Sequence, residues 1–293
     1  MLQRRTSLPG DALLLVDKPA GVTSHDVVSA ARRALRERRI GHLGTLDPFA
    51  TGLLVLLVGS ATRLARYVAA EPKVYEAVVR FGAETTTDDI VGEPTREAPP
   101  PPAAALAPAI ARLTGELDQL PPAFSAKKVE GERAYRAARA GRPVELRPAR
   151  VVVHEWRIHA FDGERLRATI RCGGGTYVRA LARDLGRLTG SAAHLESLRR
   201  TAVGPFDVRD AVPLAELADR AGAALLPTLR GLPDVPQQRL DEDARRRVTS
   251  GNAIAAETLE GERAALVDAD GSLVALAERR GDRWQPRVVL RDG

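Results

Sequence analysis

With 293 residues, a net charge of +6 and a single cysteine, Cys172, the chain is long enough for one large core plus a small appended module. One cysteine excludes an internal disulfide and a cysteine-cluster metal centre, and it suits a reducing cytoplasm; charge carried almost wholly by arginine suits phosphate-bearing partners, because the guanidinium fork is always charged. Asp11 and Asp17 interrupt the apolar residues that follow Arg4 and Arg5, and the unbroken apolar run at 53–58 is far short of the ~20 residues that cross a bilayer, so a soluble cytoplasmic protein without a membrane partner is expected.

Residues 12–16 read as a buried strand, and Asp17-Lys18-Pro19-Ala20-Gly21 reads as a turn. Thr23 and Asp26 have capping-box spacing, opening a helix with Val27, Val28, Ala31 and Leu35 on one face. Arg32, Arg33, Arg36, Arg38 and Arg39 load the other face, either as a solvated surface or as a contact for a nucleic-acid backbone. The stretch 41–54 follows, in which Gly41, Gly44, Gly52 and Pro48 surround one carboxylate, Asp47. Glycine opens backbone angles closed to other residues, and proline pushes the preceding residue out of the helical region. Spacing alone leaves two readings: a turn whose carboxylate caps nearby amides, or a rigid loop that presents an acid. A phosphate-binding GxxxxGK[ST] loop is absent.

A core strand is expected over 53–58 and a short helix over 60–70, with Leu64, Tyr67 and Val68 inward. Tyr75, Ala77, Val79 and Phe81 alternate as a strand, in which Tyr75 is either a core residue or a ring for stacking. The Pro- and Ala-rich stretch 97–108 reads as a connector leading to a helix at 105–113. Next comes 120–141, basic and holding Phe124 and Tyr135; basic residues interleaved with aromatics suit RNA, though Tyr135 equally suits helix packing. A hairpin is expected over 151–160 and 165–172, turning at Asp162-Gly163. Gly173, Gly174 and Gly175 then lead to a helix with Val178, Leu181, Ala182, Leu185 and Leu188 on one face, stopped at Gly190. Pro and Gly near 231–236 mark a boundary, which gives domains at 1–231 and 232–293. Beyond it a short helix at 241–250 and strands at 264–267, 273–277 and 286–290 make a small β-rich module. The five histidines, at 25, 42, 154, 159 and 194, form no metal-ligand motif of the kind a metal hydrolase needs.

The 41–54 stretch resembles the catalytic motif of the bacterial tRNA pseudouridine-55 synthase family, G-H-x-G-x-L-D-P-x-A-x-G-x-L, with every fixed position filled. The resemblance extends to Asp17-Lys18-Pro19, to Lys73-Val74-Tyr75, to Thr85, Thr87 and Asp89, to Pro121-Pro122-Ala123-Phe124-Ser125-Ala126, to Gly175-Thr176-Tyr177-Val178-Arg179, to Asp184, and to the segment from Ala193 to Arg199. It implies an α/β fold: a mixed or antiparallel central sheet flanked by helices, an inserted thumb at about 120–141, and a small C-terminal PUA-like RNA-binding domain. The implied activity is isomerisation of uridine 55 in the tRNA T loop to pseudouridine. The implied partner is the T stem-loop, met by a monomer without guide RNA, metal or organic cofactor. Asp47 would be the essential carboxylate, as nucleophile or as base, and Arg179 would pair with it, since a nearby cation favours the ionised form. Tyr177 would help remove the C5 proton or pack the site. Tyr75 would stack on the uracil, Leu198 line the pocket, His42 support the rearranged loop, and Lys18 lie at the substrate. The alternatives are a catalytically silent RNA-folding factor of the same fold and a guide-dependent modification subunit.

Overall fold

The computed structural model describes residues 10–124, 128–129, 132–133, 146–257 and 260–290. Most of the expected thumb, Tyr135 included, lies outside the described residues. Contacts divide the chain into one unit built from Met1–Pro48, Gly52–Ala70 and Val203–Gly293 and another built from Phe49–Thr51 and Glu71–Ala202. Among the described residues, no helix is long and apolar enough to cross a membrane.

In the first unit, strand β1 (Ala12–Lys18) pairs antiparallel with β3 (Thr51–Val58), from Ala12 opposite Val58 to Lys18 opposite Gly52. Short β2 (Ile40–Leu43) also pairs with β3. The sheet is mixed, because β1 runs parallel to Val212–Pro213 and antiparallel to Leu225–Pro227. Successive side chains of a strand point to opposite faces, and here both faces are buried. Leu14, Val16, Leu54 and Leu56 meet helix α1 (Ser24–Leu35) through Val27, Val28, Ala31 and Leu35. Leu13, Leu15, Leu53, Val55 and Leu57 pack instead with Leu64 and with Ala265, Leu276 and Val288 of the C-terminal module. Two buried faces explain why these strands read as apolar runs, and each fully buried leucine contributes about 1.5–3 kcal/mol.

The capping box forms as expected: the Thr23 hydroxyl accepts from the Asp26 amide at 3.1 Å, and the Thr23 amide donates to the Asp26 carboxylate at 2.8 Å. Helix α1 stops at Leu35 because Arg36 takes the left-handed conformation, φ 53°. Arg36, Arg38 and Arg39 therefore sit in the turn after the helix. The helix expected at 60–70 is also shorter: a 3-10 helix covers Gly59–Leu64 only.

In the second unit, β4 (Lys73–Phe81), β5 (Gly115–Gln119), β6 (Ala149–Phe161) and β7 (Arg165–Cys172) make an antiparallel sheet in the order β4, β7, β6, β5. Helix α2 (Val178–Leu188) follows the glycines after β7 and is ended by Gly190 at φ 73°. Gly186 inside that helix is required by packing, since a Cβ there would lie 2.6 Å from the Ala193 amide nitrogen. Glu84, nearly buried, takes Arg187 at 2.7 Å and Arg96 at 2.6 Å, and Arg96 reaches the Ser191 carbonyl.

Hydrogen bonds from Arg187 hold the Glu84 carboxyl below its ordinary 4.5, against the effect of burial. The folded value lies below the unfolded one, so this contribution is complete above about pH 4.5 and is lost as pH falls through the folded value. Glu84→Gln is expected to cost about 1–3 kcal/mol at pH 7 and to flatten the acid limb of the stability curve. Denaturant titrations at pH 7 and near pH 2 check this; equal losses at both would refute it.

The C-terminal module is a five-stranded sheet in the spatial order Gln237–Arg239, Arg263–Val267, Leu273–Arg280, Arg283–Val289, Ile254–Ala255, with a helix, Glu242–Thr249, capped by Asp241. The three strands expected there are present with longer bounds. The two short edge strands escaped the pattern because two or three residues carry no period. Trp284 is fully buried at the centre of this module's own core, among Leu266, Val274 and Ile254.

Candidate active site

The Asp47 loop is held from both sides by groups of its own unit. Ser24, buried at the start of α1, donates its hydroxyl to the Leu46 carbonyl at 3.1 Å and accepts from the Leu46 amide at 2.9 Å. The Leu46 side chain is itself buried. On the other side, the Pro48 carbonyl accepts from the Gly21 amide at 2.8 Å and from the Lys18 ammonium at 3.3 Å. Lys18 was expected at the substrate; the structure makes it 0% exposed, with its ammonium also donating to the carbonyls of Pro19 at 2.9 Å and Val22 at 2.8 Å. The Asp17-Lys18-Pro19 turn thus acts as a brace for the loop. Asp47 lies half-buried between two pinned neighbours. Gly44, at φ 74°, and Gly52, at φ 102°, supply the left-handed angles that let the chain leave β2 and enter β3. Gly41 needs no such freedom: it is a ladder residue of β2 opposite Leu57, and a Cβ there would meet Thr62 at an ordinary 3.6 Å. His42 is half-buried on β2, opposite Leu56.

The second unit holds the other expected residues, Tyr177 and Arg179 at the start of α2 and Tyr75 and Leu198 on strands. Tyr177 directly precedes the helix. Its amide donates to the Gln119 side-chain oxygen at 2.8 Å, and its carbonyl accepts from the Gln119 amide nitrogen at 3.1 Å. Gln119, buried at the end of β5, therefore fixes the backbone of Tyr177 from both sides. Arg179 is nearly buried and donates to the Thr87 carbonyl at 2.7 Å and the Phe124 carbonyl at 3.0 Å, with Asp89 at 3.4 Å. One turn on, Arg183 joins Asp88 at 2.9 Å, Asp184 at 2.9 Å and the Leu120 carbonyl at 2.8 Å. Burial pushes the Asp88 carboxyl up, and the Arg183 charge opposes it. Both arginines consequently tie α2 to the Thr85–Asp89 turn and to residues 120–124. That turn closes on itself through the Thr85 and Thr87 hydroxyls and Asp89.

Tyr75 is buried on β4 opposite Ile170. Lys73, two residues earlier and so on the same face, lies with Arg200, Glu71 and Cys172; burial first, and then the Arg200 charge, push the Lys73 ammonium down. Burial raises the Cys172 thiol to about 11, which makes it inert. Leu198 is buried, and its carbonyl accepts from Thr51 at 3.5 Å. Among the described residues no cluster of three His, Cys, Asp or Glu is placed to hold a metal ion.

Ser24, Gln119 and Arg183 were missed as functional residues. Ser24 and Gln119 stand inside or beside the motifs, but their partners are 22 and 58 residues away, which no local pattern reports.

Residues 32–178 match the family described as TruB family pseudouridylate synthase (N terminal domain), residues 179–228 the tRNA pseudouridylate synthase B C-terminal domain, and residues 236–291 the family tRNA Pseudouridine synthase II, C terminal. A protein of Thermobifida fusca (strain YX) named tRNA pseudouridine synthase B is 46% identical over 291 residues, covering 96% of this chain and 98% of that protein. One of the same name from Solibacter usitatus (strain Ellin6076) is 42% identical over 292 residues, covering 96% of this chain and all (100%) of that protein. Among solved structures, an H/ACA RNP bound to a substrate RNA containing 2'-deoxyuridine aligns with a TM-score of 0.71 at 21% identity, over 96% of this chain and 85% of that one. At that identity the likeness concerns the fold.

Proposed function

The chain belongs to the TruB family of tRNA pseudouridine synthases, and from that premise we propose that it isomerises uridine 55 of the tRNA T loop, alone and without guide RNA, with Asp47 as the essential carboxylate. The observation that carries this reading is the bracing of Asp47: its neighbours Leu46 and Pro48 are pinned by Ser24, Gly21 and Lys18, so the carboxylate is presented on a fixed backbone. Positioning to within a fraction of an ångström is what a reaction at a sugar carbon requires.

The reaction breaks the bond from N1 to C1′, turns the uracil over, and joins C5 to the same C1′, while the C5 proton leaves and N1 gains one. Nothing is oxidised and no group is imported. Asp47 either attacks C1′ or removes a sugar proton on the way to a glycal, and both routes start from the ionised acid. Arg179 serves as its counter-ion, Tyr177 stands at the C5 proton, Tyr75 stacks on the uracil, and Leu198 lines the pocket. His42 supports the loop from which the target is flipped, and Lys18 acts through the backbone it holds. Residues 1–231 form the catalytic domain with the thumb at about 120–141, and residues 232–293 form the RNA-binding PUA-like module.

The test is incubation of the purified protein with an unmodified tRNA transcript, without metal or guide RNA, followed by pseudouridine mapping. Conversion of the T-loop uridine supports the proposal. Tight binding without conversion points to the silent or guide-dependent alternatives.

Gln119→Ala removes both bonds to the Tyr177 backbone. It is expected to lower kcat about tenfold with KM for tRNA little changed, the pattern of an interaction that serves the transition state. A raised KM with unchanged kcat would show that Gln119 serves binding instead.

A further inference from the structure

The Thr85–Asp89 turn holds a backbone conformation that needs outside support. Among the described residues, two that are not glycine have positive φ, Arg36 at 53° and Asp88 at 59°. Arg36 ends helix α1, where the left-handed region is ordinary. Asp88 ends no helix: it is buried inside the turn, between Thr87 and Asp89, the two residues of the turn that face Arg179. A residue with a Cβ enters that region at a cost, and it stays there only when its surroundings hold it.

Asp88 is held by its backbone and by its side chain. Its carbonyl accepts from the Leu195 amide at 3.1 Å, and the Ile90 amide donates to the Leu195 carbonyl at 3.0 Å, which fixes the turn to the strand Ala193–Val203. Its carboxylate accepts from Arg183 at 2.9 Å. The other two nitrogens of that buried guanidinium donate to Asp184 at 2.9 Å and to the Leu120 carbonyl at 2.8 Å, so Arg183 is a fixed anchor for the turn. A buried ion pair is a poor source of net stability, because removing both charges from water offsets much of their attraction. What this pair supplies is geometry. The Thr87 carbonyl belongs to the peptide plane that φ of Asp88 orients, and that carbonyl accepts from Arg179 at 2.7 Å.

We propose that Arg183 is a positioning residue: by pairing with Asp88 it keeps that residue left-handed, and the turn so held aims the Thr87 carbonyl and the Asp89 carboxylate at the Arg179 guanidinium. The inference rests on the reading of Arg179 as a catalytic group, and it adds what fixes the orientation of that group.

The test compares Asp88→Gly with Asp88→Ala, measured as kcat and KM on an unmodified full-length tRNA transcript, with melting temperatures taken alongside so that every assay runs below unfolding. Both variants lack the carboxylate and both leave Arg183 its bonds to Asp184 and Leu120, but glycine enters the left-handed region freely and alanine does not. Asp88→Gly is expected to keep kcat within about threefold of wild type and Asp88→Ala to lose about tenfold, with KM little changed in either. Arg183→Gln is expected to lower kcat between about tenfold and 10²-fold, and adding Asp88→Gly, but not Asp88→Ala, recovers most of that loss. A merely structural pair moves the melting temperature and leaves kcat below it alike for glycine and alanine. Equal rates for the two Asp88 variants overturn the proposal, and so does a raised KM with wild-type kcat, which gives the turn to RNA binding. If Arg183→Gln does not fold, the Asp88 comparison decides alone. Arg179→Gln is scored separately: a wild-type rate there refutes the catalytic reading of Arg179, whereas a slow Arg179→Gln with equal rates for Asp88→Gly and Asp88→Ala refutes this inference alone.

Discussion

Asp47→Asn is expected to lower pseudouridine formation on the order of 10⁴-fold at saturating tRNA, with the dissociation constant for tRNA within about threefold of wild type. Asparagine keeps the size and shape of the side chain but cannot ionise. The bonds that pin the loop are made by the Leu46 backbone and the Pro48 carbonyl, so they survive the substitution. The loss therefore reports the missing carboxylate rather than a collapsed loop. Single-turnover assays with enzyme in excess, alongside equilibrium binding, separate the two. Retention of more than about a tenth of the wild-type rate would exclude Asp47 as nucleophile or base.

Such a variant is interpretable because the loop's support was partly legible in advance. The capping box of α1 needs four consecutive residues and was readable from Thr23 and Asp26 alone. So were β1 and β3, whose two buried faces leave no polar position in the pattern. The strands of the hairpin Ala149–Phe161 and Arg165–Cys172 were readable from their turn, although the first is longer than its apolar alternation, with register shifts after Val153 and Ile158. Elements that depend on a single backbone conformation were not readable. The end of α1 is set by Arg36 in the left-handed region, where glycine would be the usual signal, and so the basic face seemed one helical stripe. The Ser60–Ala70 helix failed for a related reason: its apolar residues face the core from a 3-10 turn and an irregular segment, which have no 3.6-residue period.

The site divides in the same way. Asp47, Tyr177 and Arg179 came from long motifs, whereas what holds them came from pairings far apart in the chain. Arg183 joins residues 120 and 88 to α2, and Gln119 joins the base of the expected thumb to Tyr177. A buried arginine at helix position i+4 from another arginine reads in sequence as a solvated stripe. Only the carboxylates and carbonyls converging on it reveal that it is internal.

Lys18 carries the second large expectation. Its 0% exposure and its three carbonyl partners make it a brace for the Asp47 loop, so Lys18→Met should lower kcat by roughly 10²-fold while leaving tRNA affinity near wild type. Methionine fills a similar length but donates nothing, leaving the carbonyls of Pro19, Val22 and Pro48 without that ammonium. A displacement of about 1 Å at Pro48 is enough for such a loss, because Asp47 is the adjacent residue. Removing charge-assisted hydrogen bonds in the interior should also cost about 3 kcal/mol of stability, so rates belong well below the variant's melting temperature. Arg is not expected to rescue, since a planar fork cannot replace an ammonium that reaches three carbonyls in different directions. The split between kcat and KM decides between two roles. A lysine that touched substrate would weaken binding when removed and spare the rate of bound RNA, whereas a brace spares binding and loses the rate. Raised KM with wild-type kcat in Lys18→Met would return Lys18 to the substrate surface and contradict its buried placement.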